Sequence, residues 1–157
     1  MKLIPRQYLA VIAVLLAIIM TVLDGTIMNV ALPTLAHDFE VEPSTAIWIV
    51  NVYQLAITMT LLSFASLGDI HGYRRIFLIG IVVFVSASFC CMMSGSFWTL
   101  TLSRVIQGFG AACVMSVNTA LIRLIYPPKI LGRGMAINAM IVAVSAASGP
   151  SIAGAIL

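Results

Sequence analysis

Two side chains carry charge where the sequence around them is otherwise apolar. Asp24 stands inside the run that begins at Tyr8, and Arg104 inside the run that begins at Trp98. In a bilayer each costs about 2.5–3.5 kcal/mol at a helix centre, a cost that pairing or a wet cavity must offset. At about 1.5 Å per residue, Asp24 lies roughly 13 Å inward of Pro33 and Arg104 roughly 9 Å inward of Trp98. The depths nearly match. Opposite charges at one level can pair or share a polar network, which lowers the cost of each.

Uncharged polar residues collect near the same level. Gln107 is one turn from Arg104 on the same helical face, and Thr26 and Asn29 continue the stripe of Asp24. Asn51 and Gln54 stand about a turn apart in another apolar run. So many polar groups point to an aqueous or substrate cavity, with polar glue between helices as the alternative. Other chemistries find no support. There is no Walker loop, nucleophile elbow or HExxH, and Gly108-Phe-Gly110 has Cys113 where a dinucleotide fingerprint needs its third glycine. Cys90, Cys91 and Cys113 form no CxxC and read as small buried hydrophobes. Neither an enzyme nor a metal or organic cofactor is expected.

The elements that position these residues follow from composition. Of 157 residues, 62% are apolar and 8% charged, against roughly 45–50% and about 25% in a soluble domain. Most of the surface must therefore face lipid. The opening run from Tyr8 is longer than the ~7–15 residues of a signal peptide's apolar region and lacks a small-residue cleavage site, so it reads as a retained span. Five segments approach the ~20 apolar residues that a spanning helix needs: Tyr8–Leu35, Thr45–Leu67, Ile76–Met93, Trp98–Ile122 and Met135–Leu157. The expectation is an all-α integral membrane bundle of antiparallel neighbours.

Orientation follows from the connections. On one side lie Lys2, Arg6, Arg74, Arg75, Arg123, Lys129 and Arg133; the other side has no Lys or Arg but carries Asp38, Glu40 and Glu42. The positive-inside rule places the N-terminus in the cytoplasm, and Trp48 and Trp98 suit an outer interfacial belt. The net charge of +3 thus speaks of topology and not of a nucleic-acid partner. His37 and His71 fall on opposite sides and cannot share a metal. The apolar run still continues at Leu157, so the chain is expected to be an N-terminal part of something longer.

Two short patterns remain. In the connection Gly68-Asp69-Ile-His71-Gly72-Tyr-Arg74-Arg75, the glycines would allow a tight turn with positive φ and Asp69 would cap the next helix. In the fifth span, Ser145, Gly149 and Ala153 recur every four residues as a face that admits close helix approach, and Pro150 is expected to kink it.

Together these residues resemble a known family. Leu23-Asp24-Gly-Thr26-Ile-Met-Asn29-Val-Ala31-Leu32-Pro33 resembles the first-helix motif of the fourteen-span drug:proton antiporters of the major facilitator superfamily. Gly68-Asp69 with Gly72-Tyr-Arg74-Arg75 resembles that superfamily's conformational-switch loop, and Arg104-Val-Ile-Gln107-Gly108-Phe-Gly110 its fourth-helix motif, linked to proton coupling. Ser145, Gly149, Pro150 and Gly154 resemble the antiporter motif of helix five, typical of exporters. Ala65, Ile70 and Tyr73 replace a glycine and two basic residues of the loop motif, and Ser145 and Ala153 replace glycines of the antiporter motif. The weakened loop leaves Asp69 to rely on Arg74 or on a part of the protein not present here.

The resemblance implies the N-terminal bundle of an exporter of the cytoplasmic membrane. It would work by alternating access with a C-terminal half and draw on the proton gradient without a cofactor. Its partners would be protons, lipid and an amphiphilic or cationic small molecule. In it Asp24 would be the proton or cation site, tuned by Arg104, with Gln107, Asn29, Asn51 and Gln54 around the cavity. Uptake or facilitated diffusion of a small solute is the alternative within this architecture. A non-transporting assembly subunit is the alternative outside it, and would leave Asp24 and Arg104 unexplained. Nine further spans would favour the drug antiporters and seven a twelve-span relative.

Overall fold

The computed structural model describes residues 5–156, with side chains from 8 to 155. Lys2 of the orientation argument, and the side chain of Arg6, lie outside the described residues. Helix α1 (Pro5–Asp38) leads through one turn, α2 (Pro43–Ala46), into α3 (Trp48–His71); α4 (Tyr73–Met92), α5 (Phe97–Ile125) and α6 (Leu131–Ile156) complete the bundle. Among the described residues five helices are long and apolar enough to cross a membrane, and this part of the chain is an all-α, multi-pass membrane bundle. A helix satisfies its own backbone hydrogen bonds, the condition for crossing hydrocarbon.

The helices outrun the apolar segments. α1 has 34 residues, or roughly 51 Å, against a hydrocarbon core of about 30 Å. Hydropathy marks where lipid ends; the hydrogen-bond ladder stops only where local chemistry stops it. Ser96 starts α5 with a capping box, its hydroxyl accepting from the Thr99 N–H at 3.3 Å while Thr99 Oγ1 accepts from the Ser96 N–H. The connection after Arg123 is largely helical too. Pro127 breaks the ladder, a 3₁₀ turn occupies Pro128–Ile130, and α6 begins at once. Within α6, Pro150 is carried inside the helix.

α5 is the centre. It packs most extensively on α4 and α3, whereas α6 packs mainly on α1. Lipid tails are as apolar as leucine, so contact depends on how closely backbones approach. A Cβ at Gly110 would stand 2.5 Å from the Phe84 amide nitrogen, and one at Gly80 would stand 2.6 Å from Cys113 Cβ. On the α3 side, a Cβ at Gly108 would meet Ala56 Cβ at 2.7 Å. The two glycines that mimic a nucleotide fingerprint are therefore packing residues, one for each neighbour. Val14, Ala17 and Ile18 of α1 close the core against Val114, Val117 and Leu121 of α5.

The cysteines divide. Cys113 is buried and Cys91 half-buried, but Cys90 is exposed, contrary to the expectation for all three. Adjacent residues on a helix point about 100° apart, so Cys90 and Cys91 cannot share an inward face.

Candidate functional site

α1 brings Asp24 and α5 brings Arg104 to one point, across a separation of eighty residues. Arg104 Nη1 donates to Asp24 Oδ2 at 2.6 Å and to Gln107 Oε1 at 2.7 Å. Gln107 Nε2 donates to Asp24 Oδ1 at 2.9 Å. Both carboxylate oxygens are thus occupied, by a cation and by an amide of the same helix. Burial is unequal: the Arg104 side chain is 1% exposed and that of Asp24 24%. The cation is sealed and the carboxylate keeps an opening.

Two neighbours complete the surroundings. The Tyr53 ring on α3 lies 5.2 Å from the guanidinium carbon, within cation–π reach. Its hydroxyl donates to the Thr21 carbonyl at 3.4 Å, tying α3 to α1. From α4, Ser88 Oγ accepts from Gln107 Nε2 at 2.7 Å, and the Cys91 thiol faces Gln107 Oε1 at 3.6 Å. Sequence reasoning missed Ser88 and Cys91 as network members. The available signal was weak: two small polar side chains three residues apart on one face of α4.

The other cavity candidates stand apart from this knot. Asn29, Asn51 and Gln54 are all exposed. Asn29 Nδ2 donates to the Gly25 carbonyl of its own helix at 3.0 Å. Asn29 and Gln54, with Thr21, Thr26, Tyr53 and Met115, line a concavity of about 240 Å³ between α1, α3 and α5. Asn51 opens onto a separate shallow depression with Trp48, Gln54 and Thr58. The expected polar set is therefore a buried ionic centre and an open uncharged wall.

The connection between α3 and α4 departs from expectation in three ways. Gly72 alone takes a positive φ, 93°. Gly68 remains helical and buried, and a Cβ there would come within 2.9 Å of Val117 Cγ1. Asp69 does not cap α4. It belongs to the last turn of α3 and accepts from the Tyr73 hydroxyl at 2.5 Å, while Gly72 holds the N-cap position without a side-chain cap. Among the described residues no ion pair joins Asp69 to Arg74 or Arg75; all three side chains are exposed.

On α6, Ser145, Gly149 and Ala153 are all buried. A Cβ at Gly149 would stand 2.6 Å from Thr26 Cβ, only two residues along α1 from Asp24. Gly154 has open space, and Pro150 is exposed.

Residues 14–157 match the sequence profile of the Major Facilitator Superfamily. The chain belongs to that superfamily. It is 60% identical over 153 residues to the uncharacterized transporter YebQ of Escherichia coli, covering 98% of this chain and 34% of the relative. It is 35% identical to the riboflavin transporter RibZ of Clostridioides difficile, covering 97% and 33%. With the drug efflux pump JefA of Mycobacterium tuberculosis it shares 38% identity, covering 96% and 30%. The chain thus spans about a third of the length of these curated relatives.

Within the superfamily bundle, the departures noted in the sequence acquire a local account. Tyr73, standing where the resemblance expects a basic residue, gives Asp69 a hydroxyl in place of a cation. Ile70 is exposed, with no polar work at that position. Ser145 and Ala153 are small enough to keep α6 against α1 at the level where their glycine counterparts would stand.

Proposed function

We propose that this bundle is part of a proton-coupled antiporter that exports small amphiphilic molecules across the cytoplasmic membrane by alternating access. The observation that carries the reading is the carboxylate of Asp24, tied by Arg104 and Gln107 yet still partly open. A carboxyl group so placed can alternate between two states. Ionised, it holds α1 to α5 through the ion pair; protonated, it releases the guanidinium, and the tie loosens. Helices that must move relative to one another thereby sense the proton.

The open wall of Thr21, Thr26, Asn29, Tyr53, Gln54 and Met115 is suited to cargo on the same side of the bundle. The remainder of the transporter would supply the facing wall. The α6 face against Thr26 ties the exporter-type motif to the proton site through α1. The seat of Arg74, Arg75, Arg123, Lys129 and Arg133 at one end supports a cytoplasmic N-terminus. Drug efflux by JefA supports export, and riboflavin transport by RibZ supports a second reading in which the cargo is a small metabolite.

The test is pH-gradient-driven dye efflux by the full-length protein in energised vesicles. Asp24→Asn is expected to keep insertion but to lose efflux driven by the gradient, because the amide cannot exchange a proton. Efflux with wild-type proton dependence from that variant would make Asp24 structural and remove the reading.

A further inference from the structure

The concavity between α1, α3 and α5 is lined by polar side chains that, with one exception, have already committed their protons. The Thr21 hydroxyl donates to the Ile18 carbonyl at 3.0 Å, and that of Thr26 to the Leu23 carbonyl at 3.0 Å. Tyr53 spends its proton on the Thr21 carbonyl, and Asn29 ties its amide nitrogen to the Gly25 carbonyl. Hydroxyls so committed can only accept from a ligand. Gln54 differs. It lines the same concavity and is exposed. Among the described residues its backbone carbonyl accepts from the Thr58 hydroxyl, and neither end of its carboxamide has a partner. It is the one amide of this wall free to turn and present a donor and an acceptor side by side.

The rest of the wall narrows what could meet that amide. No Asp, Glu, Lys or Arg lines the concavity, and both oxygens of nearby Asp24 are taken by Arg104 and Gln107. A cationic group therefore finds no free carboxylate here. Val22, Ile57 and Met115 give apolar surface, and a thioether is a favourable neighbour for an aromatic ring. Gly25 keeps room. Unlike Gly108, Gly110 and Gly149 it is not needed for close helix approach, since a Cβ there would stand 3.9 Å from Tyr53 Cε1, an ordinary contact. We propose that this wall selects uncharged, flat heteroaromatic cargo carrying a lactam or imide edge, with Gln54 as the specificity-determining residue. Gln54 Nε2 donates to the cargo carbonyl while Gln54 Oε1 accepts from the adjacent N–H. The inference rests on the reading of this concavity as the cargo wall and names the class of molecule it takes.

The test compares 1,8-naphthalimide with N-methyl-1,8-naphthalimide, which share ring system and charge and differ at one N–H. Binding of each to the full-length protein in lipid nanodiscs is measured by equilibrium dialysis, with empty nanodiscs subtracted. Wild type is expected to bind the N–H compound about tenfold more tightly, the effect of one or two hydrogen bonds. Gln54→Met, similar in length but without the amide, is expected to bind the two alike, with the N-methyl compound within a few fold of wild type. Asn51→Met, about a turn away on the separate depression, is expected to keep the tenfold preference. Failure of wild type to bind or to distinguish the two compounds overturns the proposal. So does a preference that survives Gln54→Met, or one that Asn51→Met also abolishes. The preference can appear as expected while Asp24→Asn retains wild-type gradient-driven dye efflux; the coupling reading then fails and the role of Gln54 stands. Gradient-driven efflux that Asp24→Asn abolishes, with no preference between the imides, removes the role of Gln54 and leaves the coupling reading.

Discussion

Among the described residues, Arg104 is the largest fully buried side chain. It shares one nitrogen between Asp24 and Gln107, and rests against the Tyr53 ring, while its Nε is buried without a partner. Its removal would leave Asp24 with Gln107 as its remaining donor. Arg104→Ala, which removes the ion pair that ties α5 to α1, is therefore expected to insert but to lose gradient-driven efflux. Dye efflux by the full-length variant, set against its abundance in the membrane fraction, checks it; wild-type efflux would show that the ion pair is not needed for transport. Asp24 and Arg104 were legible in the sequence because a bilayer penalises charge, so each announces itself against apolar neighbours. Ser88 was not. A serine in a helix can satisfy its hydroxyl on the carbonyl four residues back, as Ser88 does on Phe84, and nothing in its surroundings then requires a further partner.

At the scale of elements, the critical distances are those between helix backbones. Gly149 sits against Thr26 with no room for a side chain, and Gly108 and Gly110 stand likewise against α3 and α4. Gly149→Leu in the full-length protein is expected to insert normally yet abolish or uncouple efflux, because the added side chain holds α6 off α1 beside Asp24. Gly149→Ala should already impair it, since the methyl carbon itself lacks space. Membrane-fraction abundance set against vesicle efflux separates the two effects, and normal efflux by the leucine variant would reduce this face to a spacer. Ser145, Gly149 and Ala153 were readable as a close-packing face from their four-residue spacing alone. Which helix they meet was not readable, because every apolar helix offers surfaces of similar composition.

For the molecule as a whole, charge is segregated to the two ends of the bundle. The end formed by the α3–α4 turn and the α5–α6 connection carries Arg74, Arg75, Arg123, Lys129 and Arg133, and the opposite end carries Asp38, Glu40 and Glu42. Single cysteines in His37–Ser44 of the full-length protein are therefore expected to react with an impermeant thiol reagent added outside intact cells. Those in Gly68–Arg75 or Pro127–Gly132 should react only after the membrane is opened. The exposed native Cys90 should first be replaced, so that it contributes no background. Reversed labelling would overturn the orientation and the direction of transport built on it.

By itself the sequence determined the class of solvent, the number of crossings and the two charges that need a reason. It did so because apolar length, charge asymmetry and the cost of a buried ion are properties of the chain that hold before any helix meets another. Only the tertiary structure decided that Gln107 joins the ion pair while Asn29, Asn51 and Gln54 face outward. It also decided that Asp69 turns to Tyr73 and not to a cap, and that Ser88 reaches across from α4. Those outcomes depend on how each helix is rotated about its axis. That rotation is set by which small residues let two backbones approach, a contest among all five long helices that no single segment contains.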